Sequence, residues 1–152
     1  MASSDGKEIR LLKENNTFEE TTLPDDRDVI GGKWVFKVKE GPRNEEQLKA
    51  RYVAKGYAQV KGVDYKETFS PTPKLITVRM MANTAVQSDL IIHQMDVDSA
   101  YLNAEIDTEI YVEQPKGFVK TDRTGRKLVW KLNKSLYGLK QSGRNWNNLL
   151  HK

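Results

Sequence analysis

Two runs of alternating apolar and basic residues constrain the fold of this chain more than any other feature. The first run, KWVFKVKE at residues 33–40, follows two glycines, and the second, KARYVAKGY, covers residues 49–57. Alternation with a period of two is typical of a β-strand whose two faces differ. The polar stretch GPRNEEQ between the runs predicts a β-hairpin with a long exposed loop, and the Lys and Arg side chains line this ribbon.

Length and composition limit the chain to one domain with a modest core. Of its 152 residues, 38% are hydrophobic and 30% are charged. It has no cysteine and two histidines, which excludes disulfides, thiolate nucleophiles and metal clusters built from Cys or His. No apolar run approaches the roughly 20 residues of a membrane helix, and the N-terminus lacks a secretory signal. We therefore expect a cytoplasmic or nuclear protein with no membrane partner.

Charge is segregated along the chain. Counting Asp, Glu, Lys and Arg, the net charge is −4 over residues 1–30, +5 over 31–62, −6 over 63–115 and +9 over 116–152. An acidic middle between basic blocks suits a central metal site flanked by cations that hold nucleic acid. The same pattern also fits the solvated faces of an ordinary domain, and charge alone does not decide between the two interpretations.

Asp96 and Asp98 follow an apolar run in the segment LIIHQMDVDSAYL, residues 90–102. The run predicts a buried strand that delivers both carboxylates to its exposed end, on one face if the strand continues that far. Paired carboxylates suit a divalent cation in nucleotidyl transfer. An Asp at a strand end also commonly caps the next helix, so the pair by itself leaves both roles open.

The remaining sequence predicts a mixed α+β domain. Apolar residues at helical spacing indicate a helix that ends at Gln87 and packs on a sheet. Other short elements are predicted from local patterns. Helices are predicted near residues 7–12, 75–87 and 100–105 and at the end of the chain, and strands at EIYVEQP (109–115) and KLVWKL (127–132).

Several strings occur in an order that resembles the reverse transcriptase of copia-type long-terminal-repeat retrotransposons. They are GKWVFKVK, LKARYVAKGYAQVKGVDYKETFSP, HQMDVDSAYLNAEIDTEIYVEQPKGF and VWKLNKSLYGLKQSGRNW. The resemblance extends from about Glu8 to the end. It implies the fingers and partial palm of a right-hand polymerase, incomplete at the C-terminus. The implied parts are an N-terminal arm (1–30), a fingers hairpin and loop (31–70) and a partial palm with a returning finger segment (71–152).

The resemblance implies a catalytic and metal-binding role for Asp96. Asp96 matches the family's first metal-binding aspartate, and the backbone carbonyl of Val97 also faces the metal there. Asp98 matches no carboxylate of the family, which removes the paired-Asp interpretation. Tyr101 matches the aromatic residue beneath the sugar of the incoming nucleotide, where a bulky ring leaves no room for a 2'-hydroxyl.

Four further residues are implied as nucleotide-binding. Lys49, Arg51 and Lys55 match the cations of the family's second finger strand, which reach the triphosphate and the template, and strand alternation predicts that they share one face. Without the resemblance, they are an ordinary solvated strand face. Gln141 matches the loop that closes over the nucleotide, although the residues alone also fit a polar helix start. We interpret the rings of Trp130, Tyr137 and Trp146 as packing.

The implied function is RNA-directed DNA synthesis by two-metal nucleotidyl transfer, with Mg²⁺ as cofactor and template-primer and deoxynucleotides as partners. The family's later Tyr-x-Asp-Asp string is absent from these residues, so we expect the chain to be inactive alone. The alternatives are a non-enzymatic nucleic-acid-binding module that keeps the basic fingers, and a protein-interaction segment. An incomplete palm also predicts an unpaired sheet edge, through which the chain self-associates, and an exposed apolar face.

Overall fold

The structure is a computed structural model that describes residues 3–40 and 45–152. These residues form helices and strands in nearly equal measure, which confirms the predicted mixed α and β composition. The helices are α1 (Ser4–Glu14), α2 (Leu75–Gln87), α3 (Ala100–Asn103) and α4 (Ser142–Leu150). The strands are β1 (Phe18–Thr21), β2 (Val29–Ile30), β3 (Gly32–Glu40), β4 (Glu46–Ala54), β5 (Tyr111–Glu113) and β6 (Val129–Leu132).

Strands β3 and β4 form the predicted antiparallel hairpin. Trp34 lies opposite Tyr52, and Val35 lies opposite Arg51. The alternation therefore separates an aromatic face from a basic face. The predicted loop falls partly on residues 41–44, which lie outside the described residues.

Helix α1 covers the outer edge of β4. The hydroxyl of Ser4 donates a hydrogen bond to the carbonyl of Leu48 at 2.8 Å, and the backbone N–H of Tyr52 donates to the carboxylate of Glu8 at 3.3 Å. Side chains of the helix thus satisfy backbone groups that β3 leaves unpaired on this edge.

A second sheet of four strands has the order β1-β6-β5-β2. Its β1–β6 and β5–β6 pairs are antiparallel, whereas β2 pairs with β5 in parallel. The N-terminal segment thereby supplies both edge strands of this sheet. The sequence predicts only a helix in that segment, because strands of four and two residues are too short to show a period.

Aromatic packing joins the hairpin to the four-stranded sheet. The ring of Tyr52 meets Trp34 edge-on at 5.4 Å between centroids and Trp130 at 5.3 Å. Tyr52 and Trp130 are almost completely buried, and the hydroxyl of Tyr52 donates to the carbonyl of Glu113 at 2.6 Å. Tyr52 therefore ties β4 to β5 through both its ring and its polar end.

The segment from Leu75 to Val97 departs from the prediction. Helix α2 forms over the predicted residues, but its apolar side chains are exposed apart from Ala85, so the expected packing on a sheet is wrong. No strand forms between residues 90 and 98, and Ile91 is 85% exposed. The predicted buried strand is wrong as well. Apolar composition leads to burial only against a partner surface, and the described residues provide none here.

The other predicted elements are confirmed. These are α1, α3, α4, β5 and β6, with ends that differ by a few residues from the sequence estimate. Within the described part of the chain, no helix is both long enough and apolar enough to cross a membrane.

Candidate functional site

Three side chains that are distant in the sequence meet beside the basic face of the hairpin. Arg51 comes from β4, Tyr101 from α3, and Tyr137 from the loop between β6 and α4. The guanidinium carbon of Arg51 lies 4.6 Å from the ring centroid of Tyr137. The rings of Tyr101 and Tyr137 lie 5.1 Å apart at an interplanar angle of 51°. We call this arrangement the Arg51–Tyr137–Tyr101 cluster.

The loop that carries Tyr137 is fixed to the end of β4. The backbone N–H of Ala54 donates to the carbonyl of Tyr137 at 2.8 Å. The next residue, Gly138, has a φ of 93°, and a Cβ there would overlap the carbonyl oxygen of Ala54. Gly56 approaches the carbonyl of Gly138 equally closely. Only glycine allows this contact, so the glycines set the position of Tyr137 relative to Arg51.

The electrostatic environment of the cluster includes both acids and bases. Burial is the main cause that raises the pKa of the Tyr137 phenol above its ordinary value, and Arg51 lowers it. Glu8, Tyr101 and Asp96 raise it further. The phenol is therefore protonated at neutral pH.

Asp96 itself is exposed and lies in the irregular segment that leads into α3. Ser99 adopts a left-handed φ of 51° before the helix, and the side-chain amide of Asn103 donates to the carbonyl of Asp98 at 3.3 Å. Val97, whose backbone carbonyl the family resemblance assigns to the metal, is 46% exposed. Across residues 3–40 and 45–152, no group of three His, Asp or Glu side chains is placed to hold a metal ion. These residues alone therefore do not fit the two Mg²⁺ ions that the family resemblance implies.

The predicted finger cations do not share one environment. Lys49 and Arg51 lie on the same face of β4, and Lys49 is exposed. The strand ends at Ala54, so the predicted common face does not extend to Lys55. The backbone N–H of Lys55 donates to the carbonyl of Gly31 at 2.8 Å. Its side chain lines a pocket of about 360 Å³ that also includes Trp34, Tyr52 and Glu113.

Gln141 lies in a buried polar network. Its side-chain nitrogen donates to the carbonyl of Asp64 at 2.8 Å and to the hydroxyl of Thr108 at 3.1 Å. Its oxygen accepts a hydrogen bond from the amide of Gln59 at 3.0 Å. The network fixes the loop before α4 against the segment that follows the hairpin. These bonds occupy both amide hydrogens of Gln141, so its amide group has no free donor for a nucleotide in this structure. The contact between Gln141 and a nucleotide remains a prediction.

The sequence predicts a packing role for the ring of Tyr137 but not its contacts with Arg51 and Tyr101. A tyrosine in a loop carries no sign of which residue its ring meets. The glycine at position 138 is the available signal, because glycine is favoured where the backbone turns with a positive φ or approaches another segment closely.

Comparison with known proteins agrees with the motifs. A sequence family described as reverse transcriptase (RNA-dependent DNA polymerase) matches residues 15–152. The chain is 43% identical over 142 residues to the Retrovirus-related Pol polyprotein from transposon TNT 1-94 of Nicotiana tabacum, a match that covers 92% of this chain and 10% of the polyprotein. It is 40% identical over 145 residues to the Retrovirus-related Pol polyprotein from transposon RE1 of Arabidopsis thaliana, covering 93% of this chain and 10% of the polyprotein.

The chain thus spans about a tenth of the length of these curated relatives. No solved structure matches it. The matches confirm the resemblance to copia-type retrotransposon sequences. Because the family match extends over most of its residues, the chain belongs to the reverse transcriptase (RNA-dependent DNA polymerase) family.

Proposed function

We propose that this chain supplies the nucleotide-contacting part of a retrotransposon reverse transcriptase. In this proposal, residues 31–70 act as fingers, residues 71–152 as part of the palm with a returning finger segment, and residues 1–30 as an arm. The single observation that carries the proposal is the Arg51–Tyr137–Tyr101 cluster. It places a guanidinium suited to a triphosphate near a ring suited to a sugar.

Equilibrium binding of Mg²⁺-loaded dATP to the 152-residue chain tests this proposal. We expect Arg51→Ala to weaken binding about tenfold or more, because a hydrogen bond to a charged group contributes roughly 1.5 to 3 kcal/mol. Arg123→Ala is the matched control, since Arg123 is exposed in a turn far along the sequence. Equal effects of the two variants would contradict a triphosphate site at Arg51.

Tyr101 is proposed to favour deoxynucleotides over ribonucleotides. A ring beneath the sugar excludes a 2'-hydroxyl by its volume, so Tyr101→Ala should bring the affinities for dATP and ATP closer together. Tyr101→Phe keeps the bulk and should keep the preference. A preference for dATP that persists in Tyr101→Ala would exclude this role.

We further propose that the chain alone does not polymerise DNA. Asp96 and the carbonyl of Val97 are the ligands that the family motif assigns, and the described residues contain no group of three acidic or histidine side chains placed to hold a metal ion. Primer extension by the purified chain with Mg²⁺ and deoxynucleotides, abolished in Asp96→Asn, would overturn this proposal. We also propose that Lys49 and Lys55 contact the template or the phosphates and that Gln141 contacts the nucleotide. These three assignments rest on the family motif alone.

A non-enzymatic nucleic-acid-binding module is the second candidate. The observation that favours it is the basic face of the hairpin, where Lys37, Lys39 and Lys49 form no ion pair with any residue that the structure describes. RNA affinity that falls with salt, survives Asp96→Asn and decreases in Lys49→Ala would support this candidate. Self-association through an unpaired sheet edge also remains a prediction.

A further inference from the structure

Tyr137 touches both members of the proposed nucleotide site at once. The guanidinium carbon of Arg51 lies 4.6 Å from the centroid of its ring, and the centroid of the Tyr101 ring lies 5.1 Å from the same centroid. Arg51 and Tyr101 come from different elements, β4 and α3, and Tyr137 comes from a third part of the chain. The ring is therefore the physical link between the residue proposed for the phosphates and the residue proposed for the sugar.

Stacking on a ring leaves Arg51 able to bind an anion. A guanidinium is planar, and its N–H donors point outward in that plane, so a ring against the flat face does not consume them. An unsupported arginine side chain must lose considerable rotamer freedom when it binds a phosphate. An arginine already held over a ring has lost part of that freedom beforehand, which favours binding.

The backbone of Tyr137 is held independently of its ring. The carbonyl of Tyr137 accepts the hydrogen bond from Ala54, and Gly138 allows the close contact between the two segments. Removal of the ring therefore leaves the joint between loop and hairpin in place. This separation makes a side-chain substitution at Tyr137 informative about the cluster rather than about the fold as a whole.

We propose that Tyr137 is a positioning residue of the nucleotide site, whose ring holds Arg51 toward the triphosphate and Tyr101 toward the sugar. Tyr137 thereby contributes both to the affinity for a nucleoside triphosphate and to the preference for a deoxyribose. The inference rests on the proposed function, because it assigns Tyr137 to the same site.

Nucleotide binding by single and double variants tests the inference. Tyr137→Leu removes the aromatic face, and we expect it to weaken binding of Mg²⁺-loaded dATP by about threefold to tenfold, the effect of a cation–π contact. It should also reduce the ratio of dATP to ATP affinity. Tyr137→Phe keeps the ring, so its dATP affinity and its ratio of dATP to ATP affinity should equal those of the parent chain.

The decisive measurement repeats Tyr137→Leu in an Arg51→Ala background. A residue that acts through Arg51 has no further effect on triphosphate affinity once that guanidinium is gone. A general packing defect would instead weaken binding by the same factor in both backgrounds, and that result would overturn the inference. Should Tyr137→Leu unfold, as judged by circular dichroism, Tyr137→Met fills similar space without an aromatic face and carries the same expectations.

Tyr65→Leu is the matched control. Tyr65 also carries a cation, with the ammonium of Lys140 at 4.8 Å from its ring centroid, but it is not part of the cluster. We expect Tyr65→Leu to leave the ratio of dATP to ATP affinity unchanged. An equal loss in the two leucine variants would contradict a specific role for Tyr137.

The two proposals fail in different ways. If the parent chain binds dATP and Arg51→Ala weakens that binding while Tyr137→Leu does not, the proposed function survives and the role of Tyr137 is excluded. If the parent chain does not bind Mg²⁺-loaded nucleotides at all, the proposed function is overturned, and the inference about Tyr137 with it.

Discussion

The base of the hairpin, residues 32–34 and 52–54, and the segment from residue 75 to 97 both contain many apolar residues, but they differ in burial. At the hairpin base, Tyr52 is 2% exposed and its ring and hydroxyl both have partners. In the segment, Met95 is 89% exposed, and the apolar side chains of α2 other than Ala85 are exposed as well. The comparison shows that apolar residues here are buried where several elements converge, and not where a single helix stands alone.

The residues of the candidate site also differ in burial. Arg51, Tyr101 and Tyr137 belong to the packed region, whereas Asp96 lies at the end of the exposed segment. The proposed nucleotide contacts therefore lie in packed surroundings, whereas the proposed metal ligand lies in an exposed segment.

The joint at Gly138 should show the largest effect on stability. Gly138→Ala adds a Cβ that overlaps the carbonyl of Ala54 at a φ of 93°, so we expect a loss on the order of 4 kcal/mol in the free energy of unfolding. Gly117 is the control, because it has a φ of 90° with open space around its Cβ position. Gly117→Ala should cost about 1 to 2 kcal/mol, the strain of the backbone alone. If urea denaturation shows equal losses of unfolding free energy in Gly138→Ala and Gly117→Ala, the contact between Gly138 and Ala54 is not tightly packed.

Leucine-to-alanine substitutions in the buried core and in the exposed segment sharpen the contrast. Leu136 is fully buried, and Leu136→Ala should cost about 3 kcal/mol through lost burial and the cavity that remains. Leu90 is 61% exposed, and Leu90→Ala should change stability by less than about 0.5 kcal/mol. A large loss in Leu90→Ala would mean that the exposed segment packs against something in solution, such as a second copy of the chain. Analytical ultracentrifugation of both variants distinguishes that case.

The buried carboxyl of Glu8 gives the hairpin edge a dependence on pH. Burial raises its pKa above the ordinary value, and Tyr52, Arg51 and Lys49 offset this only in part. The folded state therefore holds the proton more tightly than the unfolded state. The resulting stabilisation is fully present below the unfolded pKa of 4.5 and is lost as the pH rises through the raised pKa.

Glu8→Gln tests this dependence, because glutamine keeps an oxygen that accepts the hydrogen bond from Tyr52 but does not titrate. We expect the parent chain to lose stability relative to Glu8→Gln as the pH rises from 4 to 7. Glu14→Gln, at an exposed position of the same helix, should show no such trend. A stability difference between the parent chain and Glu8→Gln that stays constant over this range would contradict the assignment.

A surface ion pair should show the smallest effect. The ammonium of Lys120 lies 2.7 Å from the carboxylate of Glu20, and both side chains are partly exposed. Solvent screens such pairs, so Lys120→Ala should cost less than about 1 kcal/mol and the loss should shrink in high salt. A larger loss would mean that charge as well as packing stabilises the sheet.

Local periodicity predicted much of the secondary structure. The hairpin followed from alternation, and α2 followed from apolar residues at helical spacing, because these patterns depend only on near neighbours in the chain. The prediction of a buried strand at residues 90–98 is wrong for the same reason. Its composition favours burial, but burial requires a surface that local sequence does not describe.

The candidate site was predictable in part from motifs. Asp96, Arg51 and Tyr101 followed from strings that resemble a known family, and the structure brings Arg51 and Tyr101 to the same ring. The position of Lys55 was not predictable from strand alternation, since that rule fails once the strand has ended at Ala54.

The family of this chain, its hairpin and the chemistry of its candidate residues follow from the amino-acid sequence, because they depend on residue type and order. Tertiary structure alone decided that Tyr137 joins Arg51 to Tyr101 and that Gln141 lies within a buried network. It also decided that the segment before Asp96 stays exposed. Contacts between distant residues depend on which surfaces meet after folding, and a glycine-permitted approach of two backbones sets that geometry here.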